Sequence, residues 1–167
     1  MAEFPHFNAP NAVSGADRAD AIELVNRVNW LFDIWDVDRI MDLFLPDAVT
    51  RHPYGVVSGR TAQRKFLEGY YPLIPGVSRH ATNHIVDADG DDLVVRYYNL
   101  LVRYAMPDDA ETVRVATEMV GNDDGLPAIW ITSPMMDRIR RTNEGWKIAE
   151  RLVGGTVRSD RLTPQQG

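Results

Sequence analysis

The sequence predicts an α+β fold in which helices come first and an antiparallel sheet follows. In the first half of the 167-residue chain, apolar residues recur with helical spacing. The second half consists of runs rich in Val, Tyr and Leu that are separated by turn residues such as Asp89-Gly90. Helices followed by a meander of strands are typical of α+β domains. A strongly curved sheet wrapped on the helices would enclose a pocket for a small ligand.

Three helices are predicted before residue 71. Asp20 followed by Glu23 indicates the start of the first helix. The apolar stripe of this helix consists of Ala21, Leu24, Val25, Val28, Leu31, Phe32 and Trp35. The second helix carries Val37, Ile40, Met41 and Phe44 and ends before Pro46. Ser58 can cap a third helix, whose apolar side consists of Ala62, Phe66, Leu67 and Tyr70.

The rest of the chain is predicted to be extended. Residues 48–57 form an extended segment between the second and third helices. Five strands follow, over residues 80–88, 93–106, 112–120, 128–141 and 146–153. The chain is predicted to hold an N-terminal arm (1–19), one domain (20–157) and a flexible C-terminal tail (158–167).

Composition excludes several classes of function. The chain has 18 Lys and Arg against 24 Asp and Glu, so its net charge of −6 disfavours nucleic acid and anionic membrane as partners. It has no cysteine, which excludes disulfides, thiolate nucleophiles and iron–sulfur clusters. No targeting segment, membrane span or nucleotide-binding glycine motif is visible, and a cytoplasmic location is expected.

Three segments resemble SnoaL-like proteins of the nuclear transport factor 2-like superfamily. Residues 31–48 resemble the opening of that family: an Asp closes the first helix, and a second helix leads to Phe-x-x-Asp-Ala. Residues 78–84 resemble its His-x-x-Asn motif at the start of the first long strand, and residues 143–148 resemble its Gly-Trp-Lys-Ile-type turn. The resemblance covers about residues 20–153 and implies a cone-shaped α+β barrel around a pocket.

Within this superfamily, the closest resemblance is to a lyase branch with a catalytic Asp–His dyad. The branch includes scytalone dehydratase, bile acid 7α-dehydratase and hexachlorocyclohexane dehydrochlorinase. Asp33 precedes Asp47 by the same fourteen residues that separate the matching Asp residues of the dehydrochlorinase. His80 matches the dyad His, although Asn83 follows it one residue early. His52 falls where the two dehydratases have a Tyr on the strand after the second helix.

The resemblance implies a role for each of these residues. His80 takes a proton from carbon, Asp33 fixes its tautomer, and His52 or Tyr104 assists the departing oxygen. Helical periodicity alone places Asp33 off the apolar stripe, as a solvated carboxylate or the cap of the next helix. No cofactor is required. No metal is expected, because His80 and His84 on a strand lie about 13 Å apart, too far for one ion.

Six further residues are candidates for substrate binding. They are Trp30, Tyr54, Tyr98, Asn99, Tyr104 and Arg151. On the long strand, the alternating set that contains Tyr98 and Tyr104 is more apolar than the set that contains Tyr97 and Asn99. We therefore expect the Tyr98/Tyr104 face to point inward. Each aromatic residue can also be an ordinary core or surface residue, and Arg151 can equally lie on the surface.

These observations favour a cofactor-independent lyase that acts on a hydrophobic aromatic or polycyclic alcohol. The reaction is either dehydration or carbon–carbon cleavage with release of an aldehyde, and the sequence does not separate them. An isomerase or polyketide cyclase on the same fold is the alternative enzyme. A non-catalytic module that binds a small ligand is the alternative without catalysis. The resemblance also implies a homo-oligomer, either a trimer or a dimer.

Overall fold

Four helices and seven strands make up the fold of the computed structural model, which describes residues 12–121 and 125–164. The first half contains α1 (Gly15–Asp33), α2 (Val37–Asp42), β1 (Phe44–His52), β2 (Gly55–Ser58) and α3 (Arg60–Tyr70). The second half contains β3 (Val77–Asp89), β4 (Asp92–Arg103), α4 (Ala110–Val115), β5 (Ala128–Thr142), β6 (Gly145–Val153) and β7 (Val157–Arg158). The predicted α+β class is confirmed.

The strands form one mostly antiparallel, curved sheet in the order β2-β1-β6-β5-β4-β3, and the short β7 pairs with β5. The pairing of β1 with β6 is parallel. β3 changes its register against β4 between Thr82 and Ile85, where Asn83 has a positive φ of 57°. Such a bulge bends the strand. The sheet does not close into a barrel, because β2 and β3 form its two edges within the described residues.

The core lies between α1 and the inner face of the sheet. The buried residues of α1 include Ala21, Val25 and Val28, and they pack in one cluster with Ile139 and Ile148 of the sheet. This confirms the predicted apolar stripe. The helix begins earlier than predicted, because the Ser14 side chain accepts a hydrogen bond from the backbone N–H of Asp17 at 3.0 Å and caps it.

The prediction of a strand over residues 112–120 is wrong. Residues 110–115 form α4 instead, after a single 3₁₀ turn at Pro107–Asp109. The Val-x-Val alternation of this segment resembles that of a strand, but both edges of β4 are occupied by β3 and β5. The segment therefore cannot pair beside β4, the strand that precedes it, and its Val115 and Met119 side chains are exposed.

The C-terminal segment is packed rather than flexible as far as residue 164. Val157 and Arg158 pair with β5, Leu162 is buried, and the indole N–H of Trp130 donates to Thr163 Oγ1 at 3.0 Å. Of the predicted N-terminal arm, residues 1–11 lie outside the described residues and residues 15–19 belong to α1. None of the described helices is long and apolar enough to cross a membrane.

Candidate functional site

A cavity of about 490 Å³ lies between the helices and the inner face of the sheet. Its walls are mostly apolar and include Phe32, Phe44, Phe66, Leu101, Ile131 and Met135. They come from α1, β1, α3, β4 and β5, so the cavity needs the whole fold to form. A cavity of this size and character takes a small, mostly hydrophobic molecule.

Asp33, the last residue of α1, binds Arg79 of β3. The backbone N–H of Arg79 donates to Asp33 Oδ2 at 2.9 Å, and the Arg79 guanidinium donates to Oδ1 at 2.8 Å. The guanidinium also lies over the Phe32 ring, 4.9 Å from its centroid, and lines the cavity. Burial raises the pKa of Asp33, and the Arg79 guanidinium opposes that rise.

His80 is exposed, and its Nε2 lies 3.1 Å from Ser78 Oγ. Successive side chains of a strand point to opposite faces, so a strand that brings Arg79 to Asp33 turns His80 outward. The expected hydrogen bond between Asp33 and His80 is not formed in this structure, because Arg79 occupies the place expected for the histidine.

His52, at the end of β1, lines the cavity. Its ring packs against Phe66 and Tyr70, with centroid separations of 5.3 and 6.3 Å. Burial lowers the pKa of His52, which favours the neutral ring. The backbone N–H of Tyr54 donates to Nδ1 at 3.2 Å. A neutral ring that accepts at Nδ1 carries its proton on Nε2, so His52 offers an N–H donor to a ligand.

The inner face of β4 is the one that contains Asn99 and Leu101, which line the cavity. The interpretation that the Tyr98/Tyr104 face points inward is therefore wrong. Tyr98 is 51% exposed, and Tyr104 is half-buried outside the cavity lining. The polar residues of the inner face are accommodated because they find partners, as in the 3.2 Å hydrogen bond between Asn99 Nδ2 and Asn29 Oδ1.

The other candidates for substrate binding divide between the cavity and the surface. Trp30 is 64% exposed and does not line the cavity. Tyr54 is largely exposed but forms part of the lining. Arg151 is buried and lines the cavity. The expected surface alternative for Arg151 is therefore wrong.

Arg151 forms a buried ion pair with Asp137. Its Nε and Nη2 donate to the two Asp137 carboxylate oxygens at 2.8 and 2.7 Å, and the Tyr97 hydroxyl donates to Asp137 Oδ2 at 3.0 Å. Burial alone would lower the pKa of Arg151, but Asp137 raises it above its ordinary value. The guanidinium therefore stays charged and held in place at the cavity wall.

Residues 14–152 match the family of the SnoaL-like domain. The chain belongs to the SnoaL-like family. The matched segment runs from the cap of α1 to the penultimate residue of β6. Of the strands that line the cavity, the short β7 lies beyond this segment. The family resemblance expected from the three motifs is confirmed. No match is found among curated proteins.

Solved structures share the fold of this SnoaL-like protein. A candidate aromatic ring hydroxylase from Novosphingobium aromaticivorans has a TM-score of 0.67 and 20% identity, over 90% of this chain and 99% of that chain. A candidate scytalone dehydratase from the same organism has a TM-score of 0.62 and 17% identity, over 86% and 88%. A protein of unknown function with a cystatin-like fold, from Nostoc punctiforme, has a TM-score of 0.67 and 17% identity, over 85% and 92%. At these identities the likeness shows the fold alone.

The site also contains residues that the sequence analysis does not single out, among them Arg79, Asn29 and Tyr70. Arg79 is next to His80, and only the phase of the strand decides which of the two faces Asp33. Asn29 follows Val25 by one helical turn, so a polar residue on the apolar stripe was the available signal. Tyr70 lies on the predicted apolar side of the third helix, but helical spacing does not distinguish a residue that lines a cavity from one that packs in the core.

No group of three or more His, Asp or Glu residues that could hold a metal ion occurs in the described ranges. Several polar groups that line the cavity are hydrogen-bond donors and acceptors held by neighbouring side chains or backbone carbonyl groups. Thr50 and Gln63 form one such pair, because the Gln63 amide donates to the Ala48 carbonyl at 2.6 Å and its oxygen lies 3.5 Å from Thr50 Oγ1.

The lowered pKa of His52 predicts a loss of stability in mild acid. The unfolded chain takes up a proton near the ordinary pKa of 6.5, whereas the folded chain resists protonation until the pH is lower. The free energy of unfolding should therefore fall as the pH decreases from about 7 to about 5. Urea unfolding across this range should show a shallower fall for His52→Gln. Equal slopes in the two proteins would contradict the prediction.

Proposed function

We propose that this SnoaL-like protein is a cofactor-independent lyase that acts on a hydrophobic aromatic or polycyclic alcohol. The reaction is the elimination of water or carbon–carbon cleavage that releases an aldehyde. The observation that carries the proposal is a mostly apolar cavity lined by the imidazole of His52, whose pKa burial lowers, and by the guanidinium of Arg79, which binds Asp33. A candidate scytalone dehydratase shares this fold, and dehydration is one of the two reactions that we propose.

In a dehydration, a base removes a proton from carbon, and the electrons of that carbon–hydrogen bond form the new double bond. The carbon–oxygen bond breaks with its electron pair on the oxygen, which takes up a proton and leaves as water. Asp33 is the proposed base, since burial raises the pKa of its carboxyl and thereby strengthens the carboxylate as a base. The carboxyl group formed in this way passes the same proton to the departing hydroxyl group, and the carboxylate is restored. The Nε2–H of His52 and the Arg79 guanidinium stabilise the oxygen atoms that gain negative charge.

The same groups also suit an isomerase or a polyketide cyclase. Both reactions pass through an enolate, and the cavity offers donors for its oxygen from His52, Tyr70 and Arg79. The product of the reaction separates these enzymes from the lyase: a lyase releases water or an aldehyde, whereas an isomerase changes only the position of a bond. A binding module would hold such compounds without changing them.

The proposal is tested by turnover of a panel of aromatic and polycyclic alcohols that carry a carbonyl group next to the reacting carbon. Absorbance reports a new conjugated double bond, and a hydrazine trap reports a released aldehyde. We expect His52→Gln and Asp33→Asn each to lower kcat/KM at least about 10²-fold. His80→Gln should change it by less than about twofold, because His80 is exposed on the opposite face of β3 from Arg79, with its ring against Ser78.

The matched pair of histidine variants separates two versions of the site. If His80→Gln is as damaging as Asp33→Asn while His52→Gln is mild, the Asp33–His80 dyad implied by the resemblance operates and the roles proposed here are wrong. The carboxylate control is Asp38→Asn, since Asp38 is an exposed residue of α2 that pairs with Arg64. Binding of the panel without turnover would contradict the lyase and leave a ligand-binding module.

A further inference from the structure

A buried amide oxygen in the wall of the cavity has no partner among the described residues. It is Oδ1 of Asn99, a residue of β4 that is 7% exposed and lines the cavity. A buried carbonyl oxygen without a hydrogen bond is unfavourable, and native proteins contain few of them. Such an atom in the wall of a cavity is able to accept a hydrogen bond from a molecule that enters the cavity.

Asn29 of α1 holds the Asn99 amide in one orientation. The Asn29 amide group donates to the Val25 carbonyl at 3.0 Å, so its own Oδ1 is free to accept from Asn99 Nδ2 at 3.2 Å. Turning either amide over would bring two oxygen acceptors face to face. The hydrogen bonds from Asn99 to Asn29 and from Asn29 to the helix backbone therefore fix the orientation of the Asn99 amide. Its NH2 group is bound to Asn29, and its oxygen, Oδ1, is the end that lacks a partner.

The charges around the cavity select the kind of donor that Asn99 can receive. Arg79, Arg151 and Arg158 all line the cavity, and the carboxylate among the lining residues, Asp160, is bound to Arg158. Each of these guanidinium groups is paired with a carboxylate, that of Asp33, Asp137 and Asp160 respectively, so the described lining offers no unpaired carboxylate to a buried ammonium group. A neutral hydroxyl group is compatible with this surrounding and with the apolar walls nearby.

We infer that Asn99 is a specificity residue whose Oδ1 accepts a hydrogen bond from a hydroxyl group of the ligand. The inference rests on the proposed function only in taking the cavity as the ligand site. It adds that the ligand carries, besides its hydrophobic rings, an O–H donor that reaches β4. Ser133 lies opposite Asn99 on β5, but its hydroxyl group is hydrogen-bonded to Thr156 Oγ1 at 2.9 Å rather than to Asn99.

The test compares β-naphthol with its methyl ether, which keeps the rings and the oxygen but lacks the O–H donor. Affinities are measured by the quenching of naphthalene fluorescence or by calorimetry. We expect the unaltered protein to bind β-naphthol about tenfold more tightly than the ether, because only β-naphthol donates a hydrogen bond to the buried acceptor. In Asn29→Leu/Asn99→Leu, both affinities should agree within about twofold.

Two further variants make the result specific to Asn99. Asn99→Val changes a single position to a residue that suits a strand, and it should also abolish the preference if the double variant fails to fold. Tyr98→Phe removes a hydroxyl from the neighbouring residue on the outer face of β4 and should keep the preference. Both proteins are first checked for a cooperative thermal transition.

The possible failures are distinguishable. Equal binding of β-naphthol and its ether to the unaltered protein would overturn the role of Asn99 while leaving the cavity as a ligand site. A preference that survives in Asn99→Val would place the acceptor elsewhere and also overturn it. Binding of neither compound would contradict the cavity as a site for aromatic ligands, and the inference would fail with the proposed function.

Discussion

Replacing Asp137 with leucine should lower the free energy of unfolding by about 3–5 kcal/mol. The Asp137 carboxylate is fully buried and accepts hydrogen bonds from Arg151 and from the Tyr97 hydroxyl. Without it, the Arg151 guanidinium stays in the interior as an unpaired charge, and the Tyr97 hydroxyl loses its acceptor. The cost arises mainly from these stranded partners rather than from the attraction that is lost.

Urea unfolding measures this effect, and a triple variant serves as its control. Asp137→Leu/Arg151→Met/Tyr97→Phe removes every polar member of the group, so it should regain most of the lost stability. An exposed ion pair provides the second comparison. Glu111→Gln, which breaks the pair with Arg114 on the surface of α4, should cost no more than about 1 kcal/mol. Similar losses for Asp137→Leu and Glu111→Gln would show that the buried pair is not a main support of this fold.

Gly76→Ala should have a comparably large effect, a loss of about 3–5 kcal/mol. Gly76 precedes β3 with a positive φ of 79°, a conformation that residues with a Cβ rarely adopt. A Cβ at this position would lie 2.1 Å from the carbonyl oxygen of Ala105, which is a backbone atom. The carbonyl oxygen of Gly76 accepts a hydrogen bond from the Tyr104 N–H at 2.8 Å, so neither segment can move away without losing this bond.

Gly90→Ala is the matched control for this substitution. Gly90 also has a positive φ, 61°, but nothing lies within 4 Å of the position of its Cβ. Its replacement therefore adds only backbone strain, and about 1–2 kcal/mol is expected. Thermal and urea unfolding of both variants separates strain from overlap. Equal losses would mean that the close approach of Gly76 to Ala105 contributes nothing.

Both substitutions act on parts of the fold that position the cavity. The Asp137 carboxylate holds Arg151 at the cavity wall. Gly76 ends the short connection after Tyr70, and the Arg103 guanidinium binds the carbonyl groups of Leu73 and Pro75 in that connection at 2.8 and 3.0 Å. Variants that remain folded should therefore also bind aromatic ligands more weakly.

The fold was predictable because its local patterns agree with its packing. The stripe of α1 is buried where the helical spacing placed it, and Asp89-Gly90 leads into the turn between β3 and β4. The SnoaL-like family was predictable for the same reason, since its motifs lie at the ends of these elements. The prediction of a strand over residues 112–120 is wrong because both edges of β4, the strand that precedes this segment, are occupied by β3 and β5.

The amino-acid sequence by itself determined the class of fold, the family, the helix stripes and the interval from Asp33 to the next helix. Tertiary structure alone decided that Arg79 rather than His80 meets Asp33, and that Asn99 rather than Tyr98 faces the cavity. Side chains alternate along a strand, so a shift in phase of one residue exchanges the two faces. Where both faces carry polar residues, hydrophobicity does not choose between them. The choice depends on partners far along the chain, such as Asn29 for Asn99.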